Sequence, residues 1–174
     1  MNNEKGMTLI EVLMVIVIIA VLASLAIPSF QRMIERQQIR QAVESLKADT
    51  QLARISAIKQ SANVILARNT GAAGAWCYGA ATVTCDCTET VTTEADYCSI
   101  YRVDGGQYNA TSFDSVGANT TFSFRRGTAD ANDTCISTAN FTLKVSVNNA
   151  GKVNICSDST APVDGYYDNC ASNC

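Results

Sequence analysis

Gly6-Met7-Thr8-Leu9-Ile10-Glu11, followed through Ile27 by sixteen residues without a charge, is the stretch that decides this chain. The apolar run, rich in Ile, Val, Leu, Met and Ala, starts at Met7 and ends before Pro28, 21 residues in all. At a rise of ~1.5 Å per residue, a helix of that length spans about 30 Å, the thickness of a bilayer's hydrocarbon core. Glu11 lies inside the run, where a carboxylate costs roughly 2.5–3.5 kcal/mol. An acid snorkelling to the interface is the plain reading; an acid kept for a purpose is the sharper one. An ordinary secretory signal has an apolar core of ~7–15 residues and a small-residue cleavage site after it. Here the run is longer, and Leu25-Ala26-Ile27-Pro28 leads into more helix, so the run is expected to stay and anchor the chain.

Beyond Ser29 the pattern changes but the helical period persists. Phe30, Met33, Ile34, Ile39, Ala42, Val43, Leu46, Leu52, Ile55 and Ile58 fall near i, i+3, i+4, i+7, with Arg, Gln, Glu and Lys between them. No Gly or Pro follows Pro28 until Gly71. One helix from Met7 to near Gln60 is expected, bent at Pro28, whose ring removes one hydrogen bond. Its first half belongs in membrane or filament core; its second half offers one apolar stripe to a sheet.

Strand signals follow. Asn63–Ala67 is a short apolar run, Tyr97–Val103 and Thr120–Arg126 alternate, and Asn140–Val147 alternates most cleanly. Asn148-Asn149-Ala150-Gly151 turns into Lys152–Cys156, which predicts a β-hairpin. The stretches Gly79–Asp96 and Gly127–Thr138 are rich in Thr, Asn, Asp and Gly and read as loops, and Ser157–Cys174 has little periodicity. The fold class is α+β, a long N-terminal helix packed on an antiparallel β-sheet head. The expected divisions are 1–6 as leader, 7–28 as membrane span, 29–62 as amphipathic helix and 63–174 as a β-rich, Cys-rich head.

The 174-residue chain has a formal charge of −3, unevenly spread. Between Ser29 and Arg68, seven cations (Arg32, Arg36, Arg40, Lys47, Arg54, Lys59, Arg68) stand against Glu35, Glu44 and Asp49, a net of +4. From Asn69 onward five basic residues meet eleven acidic ones, a net of −6. An acidic head is a poor surface for nucleic acid, whose phosphates demand cations. Residues 157–174 hold three aspartates and no basic residue. All eight cysteines (Cys77, Cys85, Cys87, Cys98, Cys135, Cys156, Cys170, Cys174) follow the anchor. An even count in one region points to disulfides in an oxidising compartment, with connectivity left open. Zinc is the competitor, through Cys85-x-Cys87 and Cys170-x-x-x-Cys174, but the chain has no histidine. Against a span whose short leader lies inside, Arg32, Arg36 and Arg40 follow the span while only Lys5 precedes it, the reverse of the positive-inside pattern. The short leader and the cysteines outweigh that asymmetry.

No histidine also removes every His-dependent catalytic scheme. No GxGxxG, P-loop or GxSxG motif is present. Asp158, Asp164 and Asp168 lack EF-hand spacing and read as loop residues. Arg54 and Lys59 read as a solvated helix face. Tyr166-Tyr167 could be an exposed recognition patch or could pack on the sheet. No enzyme and no cofactor is expected.

A polar leader ending in Gly6, then Met7-Thr8-Leu9-Ile10-Glu11 and the apolar run, resembles the class III signal of type IV prepilins and type II secretion pseudopilins. The resemblance implies cleavage by prepilin peptidase between Gly6 and Met7 and N-methylation of Met7, where phenylalanine is commoner. Glu11 becomes mature residue five and Pro28 residue twenty-two, where many members carry a helix-kinking proline. The family's use of that glutamate implies pairing with the methylated amine of a neighbouring subunit, which neutralises both charges in an apolar core and sets axial register. Thr8 is placed to cap or hydrogen-bond at the same terminus. The segments Leu52–Gln60 with Asn63–Leu66, and Phe122–Gly127 leading to Phe141–Val147 and Gly151-Lys152-Val153, are similar to the GspH/FimT family. That likeness implies a type IV pilin-like fold and a minor pilin of a type IV pilus. Three other roles stay open: a type II secretion pseudopilin, a DNA-uptake receptor and an adhesive tip subunit. Implied partners are other minor pilins or pseudopilins, prepilin peptidase, the inner-membrane assembly platform and membrane lipid. The implied location is the bacterial inner membrane, single pass, with the head in the periplasm, and then the filament.

Overall fold

The computed structural model describes residues 7–158, 162–168 and 174. Gly6 and Cys170 lie outside the described residues. The helix α1 runs Leu9–Gln60 and passes through Pro28. The chain divides into two compact units, 1–34 and 35–174. In the first, the helix leaves its large apolar side chains exposed, from Leu9 at 82% to Phe30 at 61%. Its most apolar window has a mean hydropathy of 3.0 and buries nothing, long and apolar enough to cross a membrane.

In the second unit the same helix becomes one-sided. Ile39, Ala42, Val43, Leu46, Thr50, Ala53, Ser56 and Ala57 are buried, three to four residues apart. Three of the eight are alanines, which lets the helix approach the sheets closely. The helix stops for a local reason. Ser61 takes a positive φ of 52°, its N–H donates to the Ile58 carbonyl, and the Ala62 N–H reaches back to Ala57. This is the paired-bond helix terminator in which a left-handed residue turns the chain out.

Nine strands follow: β1 Val64–Asn69, β2 Cys77–Ala81, β3 Tyr101–Asp104, β4 Ser112–Val116, β5 Thr120–Phe122, β6 Asn132–Ser137, β7 Thr142–Val147, β8 Val153–Ser157 and β9 Tyr167–Asp168. One sheet has the order β3-β2-β1-β5 and the other β4-β6-β7-β8-β9. All pairs are antiparallel except β8 with β9. Val64 and Leu66 of β1, Tyr78 and Ala80 of β2, Leu143, Val145 and Val147 of β7 and Val153 and Ile155 of β8 join the helix face in one core. At its centre Trp76 stacks on Phe113, ring centroids 4.0 Å apart, and donates its indole N–H to Thr111. Gly105 must be a glycine there, since a Cβ would sit 2.5 Å from the Trp76 ring.

Arg68 follows the inward parity of Val64 and Leu66 and is buried. Its guanidinium donates to Thr120 Oγ1 (2.7 Å), Thr134 Oγ1 (2.8 Å) and the Ala118 carbonyl (2.8 Å), tying β1 and β5 to β6 of the other sheet. Burial pulls its pKa down to about 10. The opposite face of β1 and β2 carries a second small cluster: Ala67, Cys77, Ala81, Cys85, Cys87 and Cys98. Two disulfides, Cys77–Cys87 and Cys85–Cys98, fold the β2–β3 connection back over that face. Gly79 lies beneath, where a Cβ would meet Cys98 at 2.7 Å. Cys135 bonds Cys174, Cys156 is also disulfide-bonded, and no described cysteine is free.

Several sequence expectations shift. The stretch 79–96 is not all loop, because β2 runs through Gly79, Ala80 and Ala81. Its small residues are buried on both faces, helix below and disulfides above, so no alternation marks it. The loop expected over 127–138 contains β6, whose Thr134 serves Arg68 and whose Asp133 pairs with Lys144 at 2.9 Å. β4 carried no sequence signal. The strand expected to reach Arg126 ends at Phe122, because Gly127 (φ 62°) closes a turn onto the Ser123 carbonyl. The strand expected from Tyr97 starts at Tyr101, since Cys98 is pinned to Cys85. The hairpin joining β7 and β8 stands where the turn residues put it.

Two stability predictions follow from this packing. Arg68→Ala should cost roughly 2–5 kcal/mol in urea unfolding, because the buried hydroxyl oxygens of Thr120 and Thr134 lose their donor at once and the link to the Ala118 carbonyl goes with them. Alkaline pH should also weaken the fold. Burial raises the phenols of Tyr78 and Tyr101 well above the ordinary tyrosine range, and Tyr166 is pushed up to about 12. Each contributes stability below an unfolded value of about 10 that is lost as pH rises beyond it, while Arg68 opposes them as one group against three. The urea midpoint should fall steeply above pH ~10, and less steeply in Tyr78→Phe.

Candidate functional site

The residues singled out at the amino terminus fall in the first unit. Thr8 stands just ahead of the helix and caps it: its Oγ1 accepts from the Glu11 N–H at 3.3 Å, and its carbonyl accepts from Glu11 at 3.1 Å and Val12 at 3.3 Å. This is what a threonine at an N-cap does for otherwise orphaned amides. Glu11 sits in the first turn, where a negative side chain is favoured by the positive end of the helix dipole. No ion pair among the described residues includes it. Its neighbours Ile10, Val12 and Leu13 are exposed apolar side chains, so the carboxylate stands alone on a greasy surface. A carboxylate taken out of water on such a surface would need a paired cation.

In the second unit, polar groups fasten the head to the helix. Asp49 accepts from the Tyr78 hydroxyl through Oδ2 at 2.8 Å, and its carbonyl accepts from Tyr101 at 2.7 Å. Ser45 lies 2.9 Å from the same Tyr78 oxygen. The C-terminal segment 162–166 clasps the helix: Arg36 pairs with Asp164 at 3.4 Å, Arg40 donates to the Asp164 carbonyl, and the Tyr166 hydroxyl bonds Glu44 at 3.1 Å. Asp164 is therefore an ion-pair partner as well as a loop residue. Tyr166 is half-buried on the helix rather than part of an open patch. Arg54, expected on a solvated face, instead donates Nε to the Gly127 carbonyl at 2.9 Å. Gly151 (φ 72°) closes the β7–β8 turn beside it, where a Cβ would strike the Gly127 carbonyl at 2.5 Å. Arg54 thus joins two turns to the helix end, a role that only the tertiary structure reveals.

Cys85 and Cys87, considered as a zinc pair, belong to two different disulfides. No group of three or more potential ligands is gathered among the described residues.

Two family models match. Residues 42–158 fit Type II transport protein GspH, and residues 1–27 fit the Prokaryotic N-terminal methylation motif. A fimbrial protein of Moraxella nonliquefaciens is 50% identical over 42 residues, 24% of this chain and 27% of its own length. Fimbrial protein Q of Moraxella bovis is 46% identical over 48 residues, 28% and 31% of the two chains. The chain therefore covers less than a third of the length of these relatives. The crystal structure of the type IV minor pilin FimU from Pseudomonas aeruginosa superposes with a TM-score of 0.53 at 14% identity, covering 74% of this chain and 98% of that one. At that identity the likeness is one of fold. With well over half its length inside one family model and the methylation motif in front, this chain belongs to the GspH family of type IV pilin-like proteins.

Proposed function

We propose that this protein is a minor pilin: a structural and priming subunit held in the inner membrane by residues 7–28 and then built into a type IV pilus tip. The observation that carries this reading is the amino terminus, where Gly6 precedes Met7-Thr8-Leu9-Ile10-Glu11 and a helix whose apolar side chains have no cover of their own. Prepilin peptidase removes residues 1–6 and methylates Met7. The amphipathic stretch 29–62 carries the 63–174 head, in the periplasm at first and on the filament afterwards. Glu11 then pairs with the methylated terminal amine of a neighbouring subunit. Apolar packing along Ile10–Ile27 supplies attraction without register, since every Leu or Ile contact resembles the next. One charge pair in that surface supplies the register. The protein's part is assembly, not catalysis.

A second reading, a type II secretion pseudopilin, draws support from the description of the matched family. Deleting the chain separates the two: lost piliation supports the first, and lost secretion with pili intact supports the second. DNA capture is the least supported, because the head from Asn69 onward has a net of −6.

Intact-mass measurement on membrane-extracted protein should show a chain lacking residues 1–6 and carrying one added methyl group, with precursor accumulating in Gly6→Val. A mature chain starting at Met1, or cut after Ala26, overturns the reading. Glu11→Ala should leave the protein inserted, since a costly charge is gone from the span. It should nonetheless lower co-purification with partner pilins and the number of filaments. Unchanged values for both quantities would remove the pairing role.

A further inference from the structure

The disulfides whose two ends are both described share a property that the assembly reading leaves unused: none joins cysteines that are neighbours in the sequence. Cys77 pairs with Cys87 across Cys85, Cys85 pairs with Cys98 across Cys87, and Cys135 pairs with Cys174 across Cys156 and Cys170. In the β2–β3 connection the two bonds therefore cross. Chain statistics do not select that crossing. Closing Cys77–Cys85 and Cys87–Cys98, over separations of 8 and 11, is favoured over the observed 10 and 13 by a factor of about 2, since closure falls as the 3/2 power of loop length.

The finished fold does select it. Asp86, between Cys85 and Cys87, bridges Tyr97 and donates its N–H to the Asp96 carbonyl at 2.7 Å, which sets Cys85 beside Cys98. The Cys87 carbonyl accepts from Arg102 Nε of β3 at 2.6 Å, and Cys98 covers Gly79, its Sγ 2.8 Å from where a Cβ would sit. These contacts need β2 and β3 in place, and the core that orders both sheets reaches as far as Ile155 of β8. Ile155 follows Cys85 by 70 residues, about 4–14 s at a synthesis rate of ~5–20 residues per second. Disulfide formation with a fast oxidant takes only seconds. Cys77 and Cys85 thus meet the oxidant as neighbours, before anything is folded to hold them apart.

We propose that this chain is a substrate of a thiol–disulfide isomerase, which converts bonds between sequence neighbours into the crossed pair before the subunit assembles. The inference goes beyond the minor-pilin reading and rests on it only for export of the head, in chain order, into an oxidising compartment. A disulfide-bearing oxidant first takes two electrons and two protons per bond, making Cys77–Cys85 and Cys87–Cys98. The isomerase thiolate then attacks Cys85 Sγ, forming a mixed disulfide and releasing Cys77 as thiolate. Cys77 attacks Cys87 Sγ, which makes Cys77–Cys87 and releases Cys98 as thiolate. Cys98 attacks Cys85 Sγ in the mixed disulfide, which makes Cys85–Cys98 and returns the isomerase thiolate. The three exchanges involve no net oxidation, so the stability of the folded head sets their direction.

The test expresses the full chain in a bacterial host with or without its periplasmic disulfide isomerase, blocks free thiols at harvest, and maps the bonds by non-reducing peptide mass spectrometry. Cleavage ahead of Asp86 separates Cys85 from Cys87, so the two connectivities give different peptide pairs. Without the isomerase, Cys77–Cys85 and Cys87–Cys98 should accumulate and the crossed pair should fall several-fold. An isomerase keeping only its attacking cysteine should be captured in a mixed disulfide with the chain. Cys85→Ala/Cys98→Ala makes Cys77 and Cys87 neighbours, and their bond should then form equally in both hosts. Equal yields of the crossed pair in the two hosts overturn the proposal, as does a Cys77–Cys87 bond that still needs the isomerase in the double variant. Removal of residues 1–6 and the Glu11→Ala comparison do not depend on these bonds, so failure here is distinct from failure of the minor-pilin reading.

Discussion

One helix has to satisfy two surroundings, and that constraint organises the whole molecule. Up to Ile27, Glu11 apart, α1 is apolar on nearly every side, and up to Ile34 it has nothing of its own to bury against. From Glu35 the same helix narrows to a single buried stripe, with charge on the remaining faces. A helix hydrophobic all round belongs in lipid or among other helices, and a one-sided helix belongs on a sheet. The change of pattern therefore sets where the head begins. It also means that the head must provide its own core, against a stripe thinned by Ala42, Ala53 and Ala57.

The head meets that demand by covering its sheets twice. Their inner faces close on the helix around Trp76, Tyr78, Phe113 and Phe122. The outer face of β1 and β2 is too poor in large side chains to hold a cover by apolar burial alone. Ala67, Gly79 and Ala81 offer almost no area, so two disulfides hold the loop there instead. Their closed loops, with sequence separations of 10 and 13, are each expected to contribute ~2–4 kcal/mol. On the other sheet, Cys135 and Cys156 flank Lys144 across the β6-β7-β8 register, and the Cys135–Cys174 bond takes the same part. Covalent staples stand in where side-chain volume is short, as in many small disulfide-rich domains.

Legibility in the sequence followed the strength of the periodic signal. The helix, its end near Gln60 and the β7–β8 hairpin were readable because each has a clean period and a turn or cap to close it. The amino-terminal motif was readable because its residues are local to one another and in register with a known signal. β2, β4 and β6 were not. β2 is buried on both faces with small residues, β4 is short and polar, and β6 carries Thr134 and Asp133 inward and outward as partners for distant cations. Arg54 illustrates the same limit at a single position. Its spacing fits a solvated face, and only the fold brings Gly127 within 2.9 Å of its Nε. The bridging role of Arg68 was hidden likewise, although its parity with Val64 and Leu66 already marked it as an arginine on the buried side of a strand.

The charge distribution completes the physical picture. Net charge describes the head poorly, because a −6 total is made of segregated parts: an acidic loop over one sheet face and a basic cluster at the helix end. Segregation of this kind has little use inside a lone molecule, where the exposed charges are screened by water and contribute little to stability. It gains effect when subunits are lined up by something else, because a modest charge interaction then acts at high local concentration. In a filament reading, the apolar helices and the Glu11 pair would do the lining up, and the head charges would then decide which neighbour sits where. On the proposed reading, the amino terminus would draw subunits together. The head's segregated charge would then give order to an association that is intrinsically nonspecific along an apolar helix.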